Sequence, residues 1–93
     1  MNLTDANLHG AGLRRADLRR ANLTNADLTR AVLINSSLAQ ANLTRTVLIS
    51  ATLDGATLLG ARWPEDARVP EGWYLNTGTG RLEKAGTAQI TEN

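Results

Sequence analysis

The sequence predicts an all-β fold in which one chain winds into a coil of short straight sides around an apolar interior. Three observations point there. Leucine falls at Leu3, Leu8, Leu13, Leu18, Leu23, Leu28, Leu33, Leu38, Leu43, Leu48, Leu53 and Leu58, every fifth residue without a miss, and Trp63 takes the next place in register. From Leu8 onward a small residue stands two places earlier, as in Ala6, Ala16, Ala26, Ala41 and Ala61, with Ser36 and Thr46 as variants. The residue between the two is mostly polar or tiny, as in Asn7, Asp17, Asn22, Asp27 and Asn42.

A five-residue period suits neither regular element. On an α-helix, at about 100° per residue, five steps carry the leucine roughly 140° around the axis, so successive leucines spiral over the surface. On a flat strand, alternation sends them to opposite faces. All of them point inward only if the chain turns a corner once per repeat. Within a repeat the small residue and the leucine share the inner face, the residue between them points out, and the two after the leucine make the corner. Successive coils then stack at strand spacing, about 4.8 Å, with backbone hydrogen bonds between them.

The motif A-(D/N)-L-x-x, seen in Ala16-Asp17-Leu18, Ala21-Asn22-Leu23, Ala26-Asp27-Leu28 and Ala41-Asn42-Leu43, resembles the pentapeptide-repeat family. The resemblance covers about two thirds of the chain. It implies a right-handed quadrilateral β-helix with four repeats, hence twenty residues, per coil, and so about three coils here. The return of Asn2-Leu3-Thr4 as Asn22-Leu23-Thr24 and Asn42-Leu43-Thr44 agrees with a twenty-residue coil. Residues 1–63 are thus assigned to the solenoid, with Leu3 to Leu58 and Trp63 as its structural core.

Ninety-three residues allow one small domain. There is no cysteine, hence no disulfide and no thiolate ligand. Met1 to Asp5 enter the repeat at once, leaving no basic, apolar, cleavable leader in this sequence. No apolar run approaches the roughly 20 residues of a membrane span. The expectation is a cytoplasmic protein that does not engage membranes.

The first coil carries most of the charge. Arg14, Arg15, Arg19 and Arg20 occupy the corners of two consecutive repeats, where they project outward as a candidate patch for an anionic partner. No aromatic residue accompanies them to stack bases, so a solvated rim is the simpler account. His9, the sole histidine, also sits at a corner. One histidine without cysteine makes no metal site, and without a second base it makes a poor catalytic centre. The carboxylates of Asp5, Asp17, Asp27 and Asp54 are scattered over corners and sides and form no acid/base pair.

Two triplets break the polar pattern. In Val32-Leu33-Ile34 and Val47-Leu48-Ile49 the leucine points inward, so Val32, Ile34, Val47 and Ile49 should face solvent. The triplets lie fifteen residues apart, three quarters of a coil, which places them on adjacent sides of successive coils and predicts a cluster around one edge. β-Branched residues suit extended sides, and exposed apolar clusters mark interfaces; these four are the candidate interface. The Asn-Leu-Thr triplets and Asn35-Ser36-Ser37 match a glycosylation sequon, but the repeat itself generates the former and no leader accompanies them.

After Ala61 the register ends in Arg62-Trp63-Pro64, where Trp63 plugs the Leu3, Leu23, Leu43 column and Pro64 breaks the next corner. Trp73-Tyr74-Leu75 and Arg81-Leu82-Glu83-Lys84 flank a Gly-rich connection from Asn76 to Gly80, which predicts a short hairpin over the open end of the last coil. Residues 64–85 are assigned to this cap and 86–93 to a flexible tail. Gly78-Thr79-Gly80 is not a phosphate loop, since no Lys-Ser/Thr follows it. Met1 to Asp5 has no comparable cover, and pairing of two such ends into a homodimer, or docking onto another protein, would supply one.

A filled Leu/Ala interior offers no concave, partly dry site, so no enzyme is expected, with no catalytic, cofactor-binding or metal-ligating residue. Some members of the family protect type II topoisomerases by imitating the shape and negative charge of duplex DNA. Here the seven arginines of residues 1–63 against four aspartates leave a net charge of +3, a poor imitation of DNA, and three coils rise only about 15 Å. The expectation is a structural or protein-interaction module with an unidentified protein partner. The alternative is a nucleic-acid-related role, as a topoisomerase-binding DNA mimic or through the Arg cluster.

Overall fold

A computed structural model describes residues 1–85 of the chain; the tail expected over 86–93 lies outside the described residues. From Asn2 onward the second residue of each pentapeptide pairs in parallel with the residue twenty positions later: Asn2 with Asn22, Asn7 with Asp27, Gly12 with Val32, Asp17 with Ser37, and so on to Asn42 with Arg62. Five residues per side and twenty per coil give four sides. The first holds residues 1–3, 21–23, 41–43 and 61–63; the second 6–8, 26–28 and 46–48; the third 11–13, 31–33 and 51–53; the fourth 16–18, 36–38 and 56–58.

Each side contributes a short ladder. On the first side Leu3 N donates to Asn22 O at 2.8 Å, and Asn22 N donates to Met1 O at 2.9 Å. The corners add their own bonds between coils, as where Asp5 N donates to Thr24 O at 2.9 Å. Every corner is a tight turn closed across the leucine, with Ala6 N donating to Leu3 O at 3.0 Å and Ala61 N repeating this on Leu58 O at 3.0 Å. The residue before each of those amides lies in the left-handed region. Gly10, Gly55 and Gly60 take it without cost, but nine corners place a side chain there, from Asp5 at φ 64° to Ser50 at φ 60°. A left-handed residue costs roughly 1–2 kcal/mol unless it is glycine, and less for Asn or Asp, which hold three of the nine corners at Asp5, Asn25 and Asn35. The ladders on either side fix the corner and impose that conformation.

The interior is filled by leucine and alanine. Leu18, Leu23, Leu28, Leu33, Leu38, Leu43, Leu58 and Trp63 are buried, together with Ala21, Ala26, Ala31, Ala41, Ala56 and Ala61. The two polar inward residues are satisfied: the Ser36 hydroxyl donates to Leu33 O at 2.8 Å and the Thr46 hydroxyl to Leu23 O at 2.7 Å. Leu3, Leu8 and Leu13 in the first coil, and Leu48 and Leu53 in the third, are only half-buried. A column of leucines covers its members only where another layer lies above and below.

After Trp63 and the buried Pro64, the chain crosses to a hairpin of β1 (Trp73–Asn76) and β2 (Arg81–Lys84). The strands are antiparallel, with Leu75 opposite Leu82 and Asn76 opposite Arg81. The hairpin docks along the first side. Arg62 pairs with Arg81 in antiparallel sense, Gly60 N donates to Leu82 O at 2.9 Å, Leu82 N to Ala61 O at 2.9 Å, and Trp63 N to Gly80 O at 3.0 Å. Leu82 is fully buried and joins the core. This asymmetric docking is the reason Leu58 is covered at its end of the coil while Leu48 and Leu53 are not. The buried indole N–H of Trp63 meets no acceptor among the described residues.

Candidate functional site

The outer surface is where any recognition must occur, and much of its polarity is engaged by the backbone beside it. The amides of Thr4, His9, Arg19, Thr24, Thr29 and Thr44 each donate to the Oδ1 of the Asn or Asp two residues earlier, at 2.9–3.2 Å. Such Asx turns pin the corner that follows each side. The hydroxyls of Thr4, Thr24 and Thr44 add a second bond to the same oxygen, at 2.6–2.7 Å. The Asn-Leu-Thr triplets are therefore a structural unit of the corner.

Of the four candidate arginines, all exposed, two are engaged. Arg19 grips Asp17 with both ends of its guanidinium, Nε on Oδ1 and Nη2 on Oδ2, each at 2.8 Å. The hydrogen bonds from Arg19, side chain first and then backbone, hold the Asp17 carboxyl down at about 2. Arg20 reaches one coil along its corner, its Nε donating to Gln40 Oε1 at 3.3 Å. Arg14 and Arg15 make no side-chain hydrogen bond among the described residues. The four flank the fourth side, two at each of its corners.

Val47 and Ile49 are exposed, at 40% and 68%. Val32 and Ile34 are half-buried. Val47 stands above Asp27 on the second side, and Val32 lies between Gly12 and Thr52 on the third. Ile49 belongs to the corner leading into the third side and Ile34 to the corner leaving it, so the four straddle that side rather than gather at a single edge. Leu59, at the corner after the fourth side, is a further exposed apolar residue, at 53%, which the period alone did not single out. Its place after an inward leucine, a position held by polar or charged residues in most other repeats, was the available signal.

His9 is exposed, and among the described residues no three His, Asp or Glu side chains gather at metal-binding distance. Asp27 is held below the usual carboxylate range by the Thr29 hydroxyl and amide. On the hairpin, Glu83 accepts from Asn76 Nδ2 and from the Tyr74 hydroxyl, both at 2.8 Å; these bonds lower the Glu83 pKa and raise that of Tyr74. Lys84 Nζ sits 5.2 Å from the centre of the Trp73 ring. No helix among the described residues is long and apolar enough to cross a membrane.

Two depressions in this surface lie along the corner between the fourth and first sides. One is lined by Arg20, Gln40, Gly60 and Arg81, and the next by Asp17, Arg19, Arg20, Ala39 and Gln40. They share Arg20 and Gln40 and form one shallow trough parallel to the coil axis. Its far end is fixed by Arg81, whose Nη1 donates to Gly60 O at 2.7 Å.

Residues 2–31 and 26–62 match the family model for pentapeptide repeats, in eight copies. No curated protein matches the sequence. Among solved structures, the pentapeptide repeat protein Rfr23 from the cyanobacterium Cyanothece 51142 is 40% identical over 67% of this chain and 43% of its own, with a TM-score of 0.64. A pentapeptide repeat protein from the Arabidopsis thaliana thylakoid lumen is 31% identical over 75% of this chain and 55% of its own, with a TM-score of 0.59. One from Nostoc PCC 7120 is 32% identical over 72% of this chain and 69% of its own, with a TM-score of 0.50. The chain thus spans about half the length of the first two.

Proposed function

The chain belongs to the pentapeptide-repeat family, and from that premise we propose that it is a non-enzymatic structural module that binds a protein partner through its β-helical surface. The observation that carries the reading is the apolar stretch around the third side. Ile49 and Val47 are 68% and 40% exposed at positions where the second coil holds Thr29 and Asp27 and the first holds His9 and Asn7. Exposed apolar groups on a rigid surface favour association by removing their area from water. The filled Leu/Ala interior supports a role outside catalysis, since catalysis needs a concave, partly dry site in which groups converge on a substrate.

The same reading takes the coil as right-handed, like the family, about three coils long, with the β1–β2 hairpin as its C-terminal cap. It places the module in the cytoplasm, on the cysteine-free composition; fractionation of source cells carrying a tagged chain reads the compartment directly.

The test is a pull-down from lysate of the source organism, comparing wild type with a variant carrying Val32→Thr, Ile34→Thr, Val47→Thr and Ile49→Thr that keeps the wild-type melting profile. A protein captured by the wild type and lost with the variant supports the assignment and its face. Equal capture by both sinks it.

A further inference from the structure

We propose that the corner between the fourth and first sides is a binding site for a phosphate-sized oxyanion, held between Arg20 and Arg81. The two arginines enter the trough from opposite ends. Arg20 starts in the first coil and leans onto Gln40 of the second, its Nε on Gln40 Oε1 at 3.3 Å. Arg81 starts in β2 and leans back onto the third coil, its Nη1 on Gly60 O at 2.7 Å. Both line the same depression, with Gln40 and Gly60 as its floor.

The floor is open because of Gly60. At φ +74° it sits in the left-handed corner conformation, and a Cβ there would stand 3.2 Å from Gln40 Cγ. Each contact that orients a guanidinium uses one nitrogen. Among the described residues the two Nη groups of Arg20, and Nε and Nη2 of Arg81, have no acceptor. Gln40 Nε2 is a further donor, since its Oε1 already accepts from Arg20. Guanidinium forks match the oxygens of a tetrahedral oxyanion, and charge-assisted bonds of this kind are the strong ones.

The local charge balance agrees. Asp17, the one acidic residue lining the adjoining depression, is engaged by both ends of Arg19, with contacts of 2.8 Å. Arg20 and Arg81 are thus two cations without a carboxylate between them. The trough lies at the corner diagonally opposite Ile49, so changes within it leave the proposed protein-contact face intact and the two readings fail separately.

The chemistry is that of a phosphate group, free or carried on a phosphorylated side chain of a partner. The experiment is a titration of the isotope-labelled full chain followed by amide NMR at pH 7. One arm uses inorganic phosphate, the other the peptide acetyl-Gly-phosphoserine-Gly-amide, each against sodium chloride at matched ionic strength. The expected result is a saturable shift of the Gln40, Gly60 and Arg81 amides, weakened about tenfold or more by Arg20→Gln and unchanged by Arg14→Gln. Because Arg20 is exposed, that variant keeps the fold. Tighter binding of the peptide assigns the site to a phosphorylated partner; equal or tighter binding of inorganic phosphate assigns it to the free anion. Shifts that never saturate, that spread equally to the Arg14, Arg30 and Arg45 corners, or that ignore Arg20→Gln overturn the site.

Discussion

The side chain of Asn35 occupies the space above Gly55, one coil further along the same corner. A Cβ at Gly55 would collide with Asn35 Oδ1, and Gly55 is held at φ +71°. Gly10 has nearly the same backbone, at φ +70°, but nothing within 4 Å of its Cβ position. Gly10→Ala should therefore cost only the left-handed backbone penalty, about 1–2 kcal/mol. Gly55→Ala should cost that and the clash in addition. Urea unfolding of the two variants checks the order, and Asn35→Ala should remove most of the difference between them.

Burial along the leucine column predicts a gradient. Leu28 is fully buried with coils on both sides, whereas Leu48, twenty residues on in the same column, is half-buried. Leu28→Ala should destabilise by about 2–5 kcal/mol through an internal cavity. Leu48→Ala should cost less than half as much, and Arg19→Ala, on an exposed ion pair, close to nothing. Chemical denaturation of all three is the measurement; equal losses at Leu28 and Arg19 would contradict the inward register.

The inward set was legible because one apolar position in five, kept for twelve repeats, admits a single geometry. The Trp73 to Lys84 hairpin was legible from its turn residues. How deeply each leucine is buried was not, because burial depends on the next layer; Leu3, Leu8, Leu13, Leu48 and Leu53 share the motif of Leu28 and differ only in what covers them. The left-handed corner was also hidden. Arg15, Arg20, Arg30, Gln40 and Arg45 occupy it against their own preference, and Gly10, Gly55 and Gly60, with Asp5, Asn25 and Asn35, are too few to announce it. At the candidate site, the fifteen-residue spacing put Val32 and Val47 on adjacent sides, but period alone could not show that Val32 and Ile34 are half-buried. The pairing of Arg20 with Arg81 across the trough depends on where the hairpin docks, and no local pattern encodes that.

The Asp17 carboxyl, drawn down to about 2 chiefly by its hydrogen bonds from Arg19, makes a prediction about acid. Its ordinary value is 3.8, so the pair's contribution to stability is fully present above about pH 4 and fades as pH falls toward 2. A side-chain carboxyl titration by NMR should place Asp17 well below its ordinary value of 3.8. In an Arg19→Ala variant its midpoint should return toward 3.8. A midpoint indifferent to Arg19 would remove the ion pair from the account.

The Asx turns divide the exterior by what it can say to another molecule. Along the first side, Asn2, Asn22 and Asn42 each give their side-chain oxygen to the amide and hydroxyl of the threonine that follows. Their outward polarity is answered from within the chain. The third side carries Gly12, Val32 and Thr52 in the equivalent column and has no such internal conversation. Sequence change on the first side therefore alters how the corners hold, while change on the third alters only what the surface displays. A family built on this repeat can diversify its vocabulary on one wall and keep its grammar on another.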